Sequence, residues 1–479
     1  MNPSLTDTRR TRWWALLVLC LGVLMIVLDT TIVNVALPSI RADLGFSQTS
    51  LVWVVNAYML TFGGFLLLGG RLGDLYGHRR VFLAGLALFT LASLACGLAN
   101  SQAMLVLARA VQGVGGAVVS AVALSLIMNL FGEPADRARA LGVYGFVCAG
   151  GGSIGVLLGG FLTGAFSWHW IFLVNLPIGA AVALLCLLLI PAGGAQPGRR
   201  LDWGGAASIT TALMLAVYAV VGGNEAGWGS ARTLLLLLAA ALLLGLFLWL
   251  ETRVQAPLMP LGLFRHRNIA AANVAGVLWA AAMFAWFFIS ALYMQLVLGY
   301  APLQVGLAFL PANLIMAVLS LGVSARIVMR FGFRGPMAAG LLLGAAGLAL
   351  FALAPVQGSF VLHVLPGMVL LGVGAGIAFN PLLMAAMSEV GPQDSGLASG
   401  VVNTAFMMGG ALGLAVLASL ASARTAGLEA AGAALPAALA GGYRLAFAVG
   451  AVFAGGAALL GLWWMRERPL PAQAPEPGA

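Results

Sequence analysis

The sequence predicts an all-α polytopic membrane protein of fourteen transmembrane helices, laid out as two six-helix bundles plus two inserted helices. Three observations carry that prediction: the composition, the alternation of arginine clusters between long apolar runs, and an internal repeat. Of the 479 residues 62% are hydrophobic and only 8% charged, whereas a soluble domain clothes its surface with about 25% charged residues. Soluble enzymes, nucleic-acid binders and secreted proteins are excluded on that ground. The net charge of +9 comes from 23 cationic residues, all of them arginine. They fall in short clusters between apolar runs, as topology signals do, and not on one phosphate-binding face.

A bilayer crossing needs about 20 apolar residues, and the long apolar runs place the spans in order. The first, 13–37, follows Arg9, Arg10 and Arg12; its apolar core is too long for a signal peptide and has no cleavage site, so it stays attached. The second, 50–70, ends at Arg71, and the third, 81–99, starts after Arg79 and Arg80. The fourth, 103–127, contains Arg109, and the fifth, 141–163, follows Arg137 and Arg139. The sixth, 168–190, ends before Arg199 and Arg200. Runs 204–222 and 233–250 come next, then 269–292 after Arg265 and Arg267, 304–325 before Arg326 and Arg330, and 336–354 after Arg334. The last three are 361–385, 399–421 and 443–465, closed by Arg466 and Arg468. With a cytoplasmic N-terminus, only Arg41, Arg232, Arg424 and Arg444 fall outside, and Arg109 lies within a span. An even span number with both ends cytoplasmic fits the positive-inside bias. The segment Ser388–Ala398 holds Glu389 and Asp394 and no arginine, but acids carry little topological weight.

The predicted organisation is a cytoplasmic tail over 1–12, a first six-helix bundle over 13–191, two inserted helices with linkers over 192–268, a second six-helix bundle over 269–465, and a disordered cytoplasmic tail over 466–479. No connection is long enough for a folded domain, the longest being near 251–268 and 422–442. The repeat lies in the connections: Gly70-Arg71-Leu72-Gly73-Asp74-Leu75-Tyr76-Gly77-His78-Arg79-Arg80 recurs at a shift of 255 residues, with Arg71 matched by Arg326, Gly77 by Gly332 and Arg79 by Arg334. Each copy follows the second helix of its set, and the two runs between the sets then read as an insertion. Paired helix sets of this kind are the layout of alternating-access transporters, with the substrate site between the halves.

Asp29 is the one acid placed inside a span, where a charge costs at least about 2.5–3.5 kcal/mol and marks function by default. A carboxyl that can gain and lose a proton is what proton coupling requires. Arg109 is its natural partner: at about 1.5 Å per residue, the two sit about 12 and 8 Å from the outer ends of their helices, with Gln112 one turn beyond Arg109. In Gly70–Arg80, the glycines Gly70, Gly73 and Gly77 permit a tight turn and close helix approach. Asp74 can cap a helix start or pair with an arginine, the latter making a gating latch; the second copy has Met329 at the place of Asp74. Gly151, Gly155 and Gly159, with Gly160, give the fifth helix a flat packing face. Asn34, Asn56, Gln112, Asn175, Asn313, Asn380 and Asn403 are the candidate polar lining of a substrate cavity, with Met407 and with Trp279 and Trp286 as an aromatic wall suited to flat or cationic lipophiles. Cys20, Cys96, Cys148 and Cys186 lie in apolar runs at spacings that fit neither zinc nor a disulfide framework, and no metal or cofactor is expected.

At these residues the chain resembles the major facilitator superfamily, and within it the fourteen-span drug:proton antiporters, over residues 13–465. Leu28-Asp29-Thr30-Thr31-Ile32-Val33-Asn34-Val35-Ala36-Leu37-Pro38 is similar to that family's first-helix signature. Gly70–Arg80 resembles the loop motif after the second helix, and Arg109-Ala110-Val111-Gln112-Gly113-Val114-Gly115 the fourth-helix motif, whose arginine the resemblance implicates in proton transfer. Trp168–Gly179 and Gln295–Gly306 also look like family segments. The fifth-helix antiporter motif normally ends Gly-Pro-x-x-Gly-Gly; here it is Gly155-Val156-Leu157-Leu158-Gly159-Gly160, without the proline. The thirteenth helix has Ala405 and Phe406 after Asn403-Thr404, where relatives often have Arg-Gln, and neither the tenth nor the thirteenth helix carries an acid. Divalent cations are therefore disfavoured as substrates.

The resemblance implies a major facilitator fold and a proton-coupled exporter of neutral, zwitterionic or monovalent lipophilic drugs in a bacterial cytoplasmic membrane, acting as a monomer. Its partners are the substrate, protons and lipid, and its energy source is the proton gradient. The alternative is a dedicated exporter of the cell's own antibiotic, siderophore or lipid precursor. An intramembrane enzyme would need a nucleophile and base or clustered metal ligands at matched depth, and a channel a ring of charge; the spans offer neither.

Overall fold

The computed structural model describes residues 9–131, 133–190, 202–254, 257–259, 261–387 and 395–466, and among them every regular element is helical. The helices are α1 (Arg9–Leu44), α2 (Trp53–Tyr76), α3 (His78–Gly97), α4 (Gln102–Leu130), α5 (Pro134–Ala165), α6 (Trp170–Leu173), α7 (Asn175–Leu189), α8 (Trp203–Ala226) and α9 (Ala231–Arg253). They continue with α10 (Arg267–Leu292), α11 (Pro302–Val318), α12 (Ser324–Phe331), α13 (Arg334–Ala352), α14 (Leu365–Met387), α15 (Ser395–Ala430) and α16 (Leu435–Trp464). A π-helical turn, Leu319–Val323, joins α11 to α12. Twelve of the described helical segments are long and apolar enough to cross a membrane, and Ile154–Ala165 of α5 and α11 are shorter apolar stretches.

The sixth apolar run is two helices. Pro177 has no N–H to offer the carbonyl of Leu173, and its ring crowds that turn, so the run breaks at Val174 between α6 and α7. The long connection expected over 422–442 is instead nearly all helix, with a break of four residues between Ala430 and Leu435. Its Ala- and Leu-rich composition is strongly helix-forming, and Arg424 and Glu429 interrupt the apolar run without interrupting the helix. The N-terminal boundary also moves, since α1 starts at Arg9 and not after residue 12. Residues 467–479 and 388–394 lie outside the described residues, so the C-terminal tail and the Glu389–Asp394 connection do as well.

Helices α1 to α7 pack on one another, and α10 to α16 do the same with a repeated pairing: α1 on α5 and α10 on α15, α3 on α4 and α13 on α14, α1 on α7 and α10 on α16. Between the sets, α5 packs on α11 and α2 on α15. Helix α8 lies over the second seam, touching both α2 and α15, and α9 packs on α8. Asn224 on α8 donates to the Ser419 carbonyl (2.7 Å) and hydroxyl (2.9 Å) on α15, while Thr210 on α8 lies against Gly64 of α2.

The sequence repeat is a repeat of structure. Gly77 (φ 89°) and Gly332 (φ 74°) each end their helix in the left-handed region that favours glycine. Arg79 then donates to the carbonyl of Leu187 at 2.9 Å, and its counterpart Arg334 to that of Leu462. Each acceptor lies two residues before its helix end, Leu189 in α7 and Trp464 in α16. A cation on the last turn satisfies a free carbonyl and opposes the helix dipole. Arg79→Ala and Arg334→Ala are each expected to cost about 1 kcal/mol, and to add when combined; thermal unfolding of the detergent-solubilised protein checks this. The end of the molecule bearing these residues is called the Arg-rich end below.

A buried carboxylate cluster as candidate functional site

Asp29 sits in the middle of α1 with its side chain 1% exposed or less. Its Oδ2 accepts from Arg109 Nη1 at 2.5 Å, and its Oδ1 from Gln112 Nε2 at 2.8 Å and Asn175 Nδ2 at 3.1 Å. Arg109 and Gln112 lie three residues apart on α4, hence on one face. Asn175 is the first residue of α7, delivered there by the break at Val174.

Arg109 has more than one partner. Its Nε donates to the Val54 carbonyl (2.9 Å) and its Nη1 also to Gln112 Oε1 (2.7 Å). Its guanidinium carbon lies 4.4 Å from the Tyr58 ring centre and 5.6 Å from that of Phe172, a cation–π arrangement favoured for arginine. Ser93 on α3 completes the cluster, accepting from Gln112 at 2.8 Å and from Asn175 at 3.3 Å while donating to the Phe89 carbonyl at 2.8 Å. Six helices of the first set thus meet at one ion pair, all within a few ångströms. A charge pair taken from water needs this many hydrogen bonds to be tolerated.

The sequence brought Asp29, Arg109 and Gln112 together correctly in space. Asn175, expected as cavity lining, is a ligand of Asp29, and so is Gln112. Ser93 and Tyr58 were missed; a lone Ser or Tyr in an apolar run says nothing about which helix face it occupies.

Helix α5 ties this cluster to the seam. A Cβ at Gly155 would lie 2.1 Å from Thr31 Oγ1 and 2.9 Å from the Leu28 carbonyl, and one at Gly159 2.6 Å from that of Ile32, while Gly151 meets Leu24 and Val27. These glycines therefore let α5 press on the turns of α1 flanking Asp29. One residue round the helix, Gly160 faces the Pro302 carbonyl of α11 (2.7 Å) and Gly306 of α11 faces the Val156 carbonyl (2.9 Å). Val156, where the antiporter motif has proline, is buried inside a continuous helix. The Gln295–Gly306 segment reaches the same seam, with Gln295 Nε2 donating to the Val35 carbonyl at 2.9 Å.

The other expected lining residues are scattered. Asn56 spans the second seam, donating to the Ala411 carbonyl at 2.9 Å, and half-buried Met407 lies against Gly63 nearby. Asn34 turns back to Thr30 of its own helix at 3.4 Å, and Asn380 donates to the Ser320 carbonyl at 3.1 Å. Asn313 is buried and Asn403 half-buried. Trp279 is no cavity wall: it is fully buried, its ring filling the space Gly344 leaves on α13. Trp286 is also buried, packed on Phe287 (4.4 Å) and Phe309 (5.7 Å). In the loop motif, Gly70 and Gly73 belong to α2 and Arg71 donates to the Pro257 carbonyl after α9. The Asp74 side chain lies outside the described residues, and with it the acid-based latch; Arg80 is exposed.

Two helix sets meeting along paired seams, with a carboxylate–arginine pair buried beside one of them, define a polytopic membrane transporter. The family model for the Major Facilitator Superfamily matches residues 19–414, and the chain belongs to that superfamily. It is 42% identical to the puromycin resistance protein of Streptomyces alboniger over 453 residues, 94% of this chain and 90% of that one. It is also 42% identical to a cephamycin export protein of Amycolatopsis lactamdurans, over 94% of this chain and 92% of that one. Among solved structures, a bacterial homologue of the human lysosomal transporter Spinster superimposes with a TM-score of 0.66 at 18% identity, covering 95% of this chain and 97% of that one. At that identity the likeness is one of fold.

Proposed function

We propose that the chain is a proton-coupled antiporter that exports lipophilic antibiotics or drugs, neutral, zwitterionic or monovalent, across a bacterial cytoplasmic membrane by alternating access, and that it is not an enzyme. In this reading it has fourteen spans, α6 with α7 and α11 with α12 each counting as one, both ends are cytoplasmic, and it acts as a monomer. The observation that carries the reading is the buried Asp29–Arg109 pair in a chain 42% identical to an antibiotic resistance protein and an antibiotic exporter. Asp29 is the proton carrier. When it is neutralised, Arg109 keeps the Val54 carbonyl, Gln112 Oε1 and two ring faces, so the proton can be taken without stranding a buried cation. The released pull on α1 reaches the α5–α11 seam through Gly155, Gly159 and Gly160. The membrane potential, worth about 2.3 kcal/mol per charge per 100 mV, favours inward proton movement as substrate leaves.

The cephamycin relative supports a second reading, a dedicated exporter of an antibiotic the cell itself makes. One experiment separates the two: proteoliposomes with an inside-acid pH gradient and a pH-sensitive dye, challenged with puromycin, cephamycin and a panel of lipophilic cations and neutral drugs. Proton efflux evoked by many compounds supports a drug pump, and by one compound a dedicated exporter. Silence across the panel from folded protein overturns the broad drug pump and leaves the dedicated exporter of a compound outside the panel.

A further inference from the structure

Asp202 and Glu251 bring two carboxylates together on the inserted helices α8 and α9, neither of which is among the helices meeting at Asp29. Asp202 caps α8, its Oδ1 accepting from the Gly205 N–H at 2.7 Å, and its Oδ2 has no partner among the described residues. Glu251 lies in the last turn of α9, where its Oε1 accepts from the backbone N–H of Leu258 (3.3 Å) and its Oε2 from that of Met259 (2.9 Å). Each residue is 5% exposed. The two carboxylates lie within hydrogen-bonding reach of each other. A Cβ at Gly205 would collide with Asp202 Oδ2 and lie 2.9 Å from Glu251 Oε1, so these are the oxygens that face each other. Two bare carboxylates repel, and burial adds to the cost. A proton between them turns the contact into a hydrogen bond and gives Oδ2 the donor it lacks.

The helix ends decide which oxygen carries that proton. Asp202 sits at the positive N-terminal end of α8 and Glu251 at the negative C-terminal end of α9, so the charge settles on Asp202 and the proton on Glu251. The charged groups on the packed elements have other places. Arg71 of α2 donates to the Pro257 carbonyl, and Arg253 of α9 is exposed and lies over the Trp249 ring at 5.7 Å. Arg424 and Glu429 of α15 lie beyond Ser419, which meets the opposite end of α8. The side chains of Asp74, Arg199 and Arg200 lie outside the described residues. What the pair holds is the segment after α9: Leu258 is buried with Leu68 of α2 and Ala206 of α8 in a small apolar cluster of its own, beside the hold of Arg71 on Pro257.

We propose that Asp202 and Glu251 form a second proton-binding site, in which one proton, carried on Glu251 Oε1 and donated to Asp202 Oδ2, keeps segment 257–259 docked on α2 and α8. Loss of the proton turns Glu251 out and frees the segment, and with it Arg71 of the loop motif. Undocked, both carboxyls are ionised near neutrality, so the docked state binds one proton more and docking weakens as pH rises. With the Arg-rich end cytoplasmic, as in the transport reading above on which this step rests, the pair reports cytoplasmic pH to the end of α2.

Hydrogen exchange of the full chain in nanodiscs, each rate divided by the intrinsic rate at that pH, reads docking at the Met259 amide. Protection is expected to fall by up to about tenfold per pH unit from mildly acidic to alkaline pH, the slope of one linked proton. In Glu251→Gln an amide N–H donates to Asp202 at every pH while the amide oxygen still accepts from Met259, so protection should stay high and flat. Glu251→Ala removes the acceptor as well and should be low and flat; melting curves verify that both variants fold. Wild-type protection that is flat against pH, or that falls in parallel in Glu251→Gln, overturns the proposal. Protection lost on adding EDTA at constant pH assigns the pair to a bound cation and overturns it too. None of these measurements involves transport, so such a result would leave the role of Asp29 standing.

Discussion

Asp29→Asn is expected to abolish substrate-evoked proton movement while leaving a folded protein in the membrane. The amide fits the same space and its oxygen still accepts from Gln112 or Asn175, which donate to Asp29 Oδ1 at 2.8 and 3.1 Å. The proposed proton carrier is gone, so substrate flux should lose its response to an imposed pH gradient and fall to facilitated exchange. Arg109 tolerates the change because the Val54 carbonyl, Gln112 Oε1 and the Tyr58 ring remain. Arg109→Met is expected to behave differently. It leaves a buried carboxylate with only neutral amide donors, and breaking a buried pair from one side costs about 3–5 kcal/mol, so this variant should lose much of its thermal stability or membrane yield. Undiminished, pH-driven export in Asp29→Asn would remove Asp29 from the coupling step, and equal stability of the two variants would show that the pair is not the energetic centre of the cluster.

Charge made this site legible in the sequence. In an apolar span a carboxylate has very few places to be, so Asp29 and Arg109 identified each other by depth alone. Uncharged polar side chains carry no such constraint. Asn175 and Gln112 were read as cavity lining because an amide in a span can serve a ligand, a neighbouring helix or another side chain equally well; only the break before Pro177, which starts α7 at Asn175, turns that amide onto Asp29. Trp279 was misplaced for the same reason, since periodicity shows that α10 has an aromatic face but not that Gly344 of α13 leaves a socket for it. The repeat was legible in finer detail, with Gly77 and Gly332 both in the left-handed region and Arg79 and Arg334 capping equivalent helices. The inserted pair was visible as two surplus apolar runs. Its docking over the α2–α15 seam was not, because it depends on Thr210 meeting Gly64 and Asn224 meeting Ser419, contacts between residues about 150 and 195 positions apart.

Gly160→Leu is expected to arrest transport by a different route, through the seam and not the ion pair. Gly159 and Gly160 are neighbours on α5 with opposite duties. A Cβ at Gly159 meets the Ile32 carbonyl inside the first helix set at 2.6 Å, whereas one at Gly160 meets the Pro302 carbonyl at 2.7 Å and Leu303 Cα at 2.9 Å, across the seam. Backbone has nowhere to go at such distances, so the leucine must push α11 away from α5 and open the end opposite the arginines. Overpacking of this kind costs about 1–3 kcal/mol, enough to shift a two-state population about five- to 150-fold. Alternating access is rocking of one helix set against the other, and a transporter that rarely closes one end turns over correspondingly slowly. The closure has its own reporter, because Gln295 donates to the Val35 carbonyl across the sets. With Val35→Cys and Gln295→Cys, a short bis-maleimide crosslinker should bridge the two positions in the otherwise wild-type chain and do so poorly with Gly160→Leu, in step with the loss of export. Gly164→Leu, one turn further along where a Cβ would meet nothing within 4 Å, should change neither. Gly159→Leu should instead lower the melting temperature, since the strain it introduces lies within one set. Unchanged crosslinking and export in folded Gly160→Leu would mean that the α5–α11 contact is not the surface on which the two sets close.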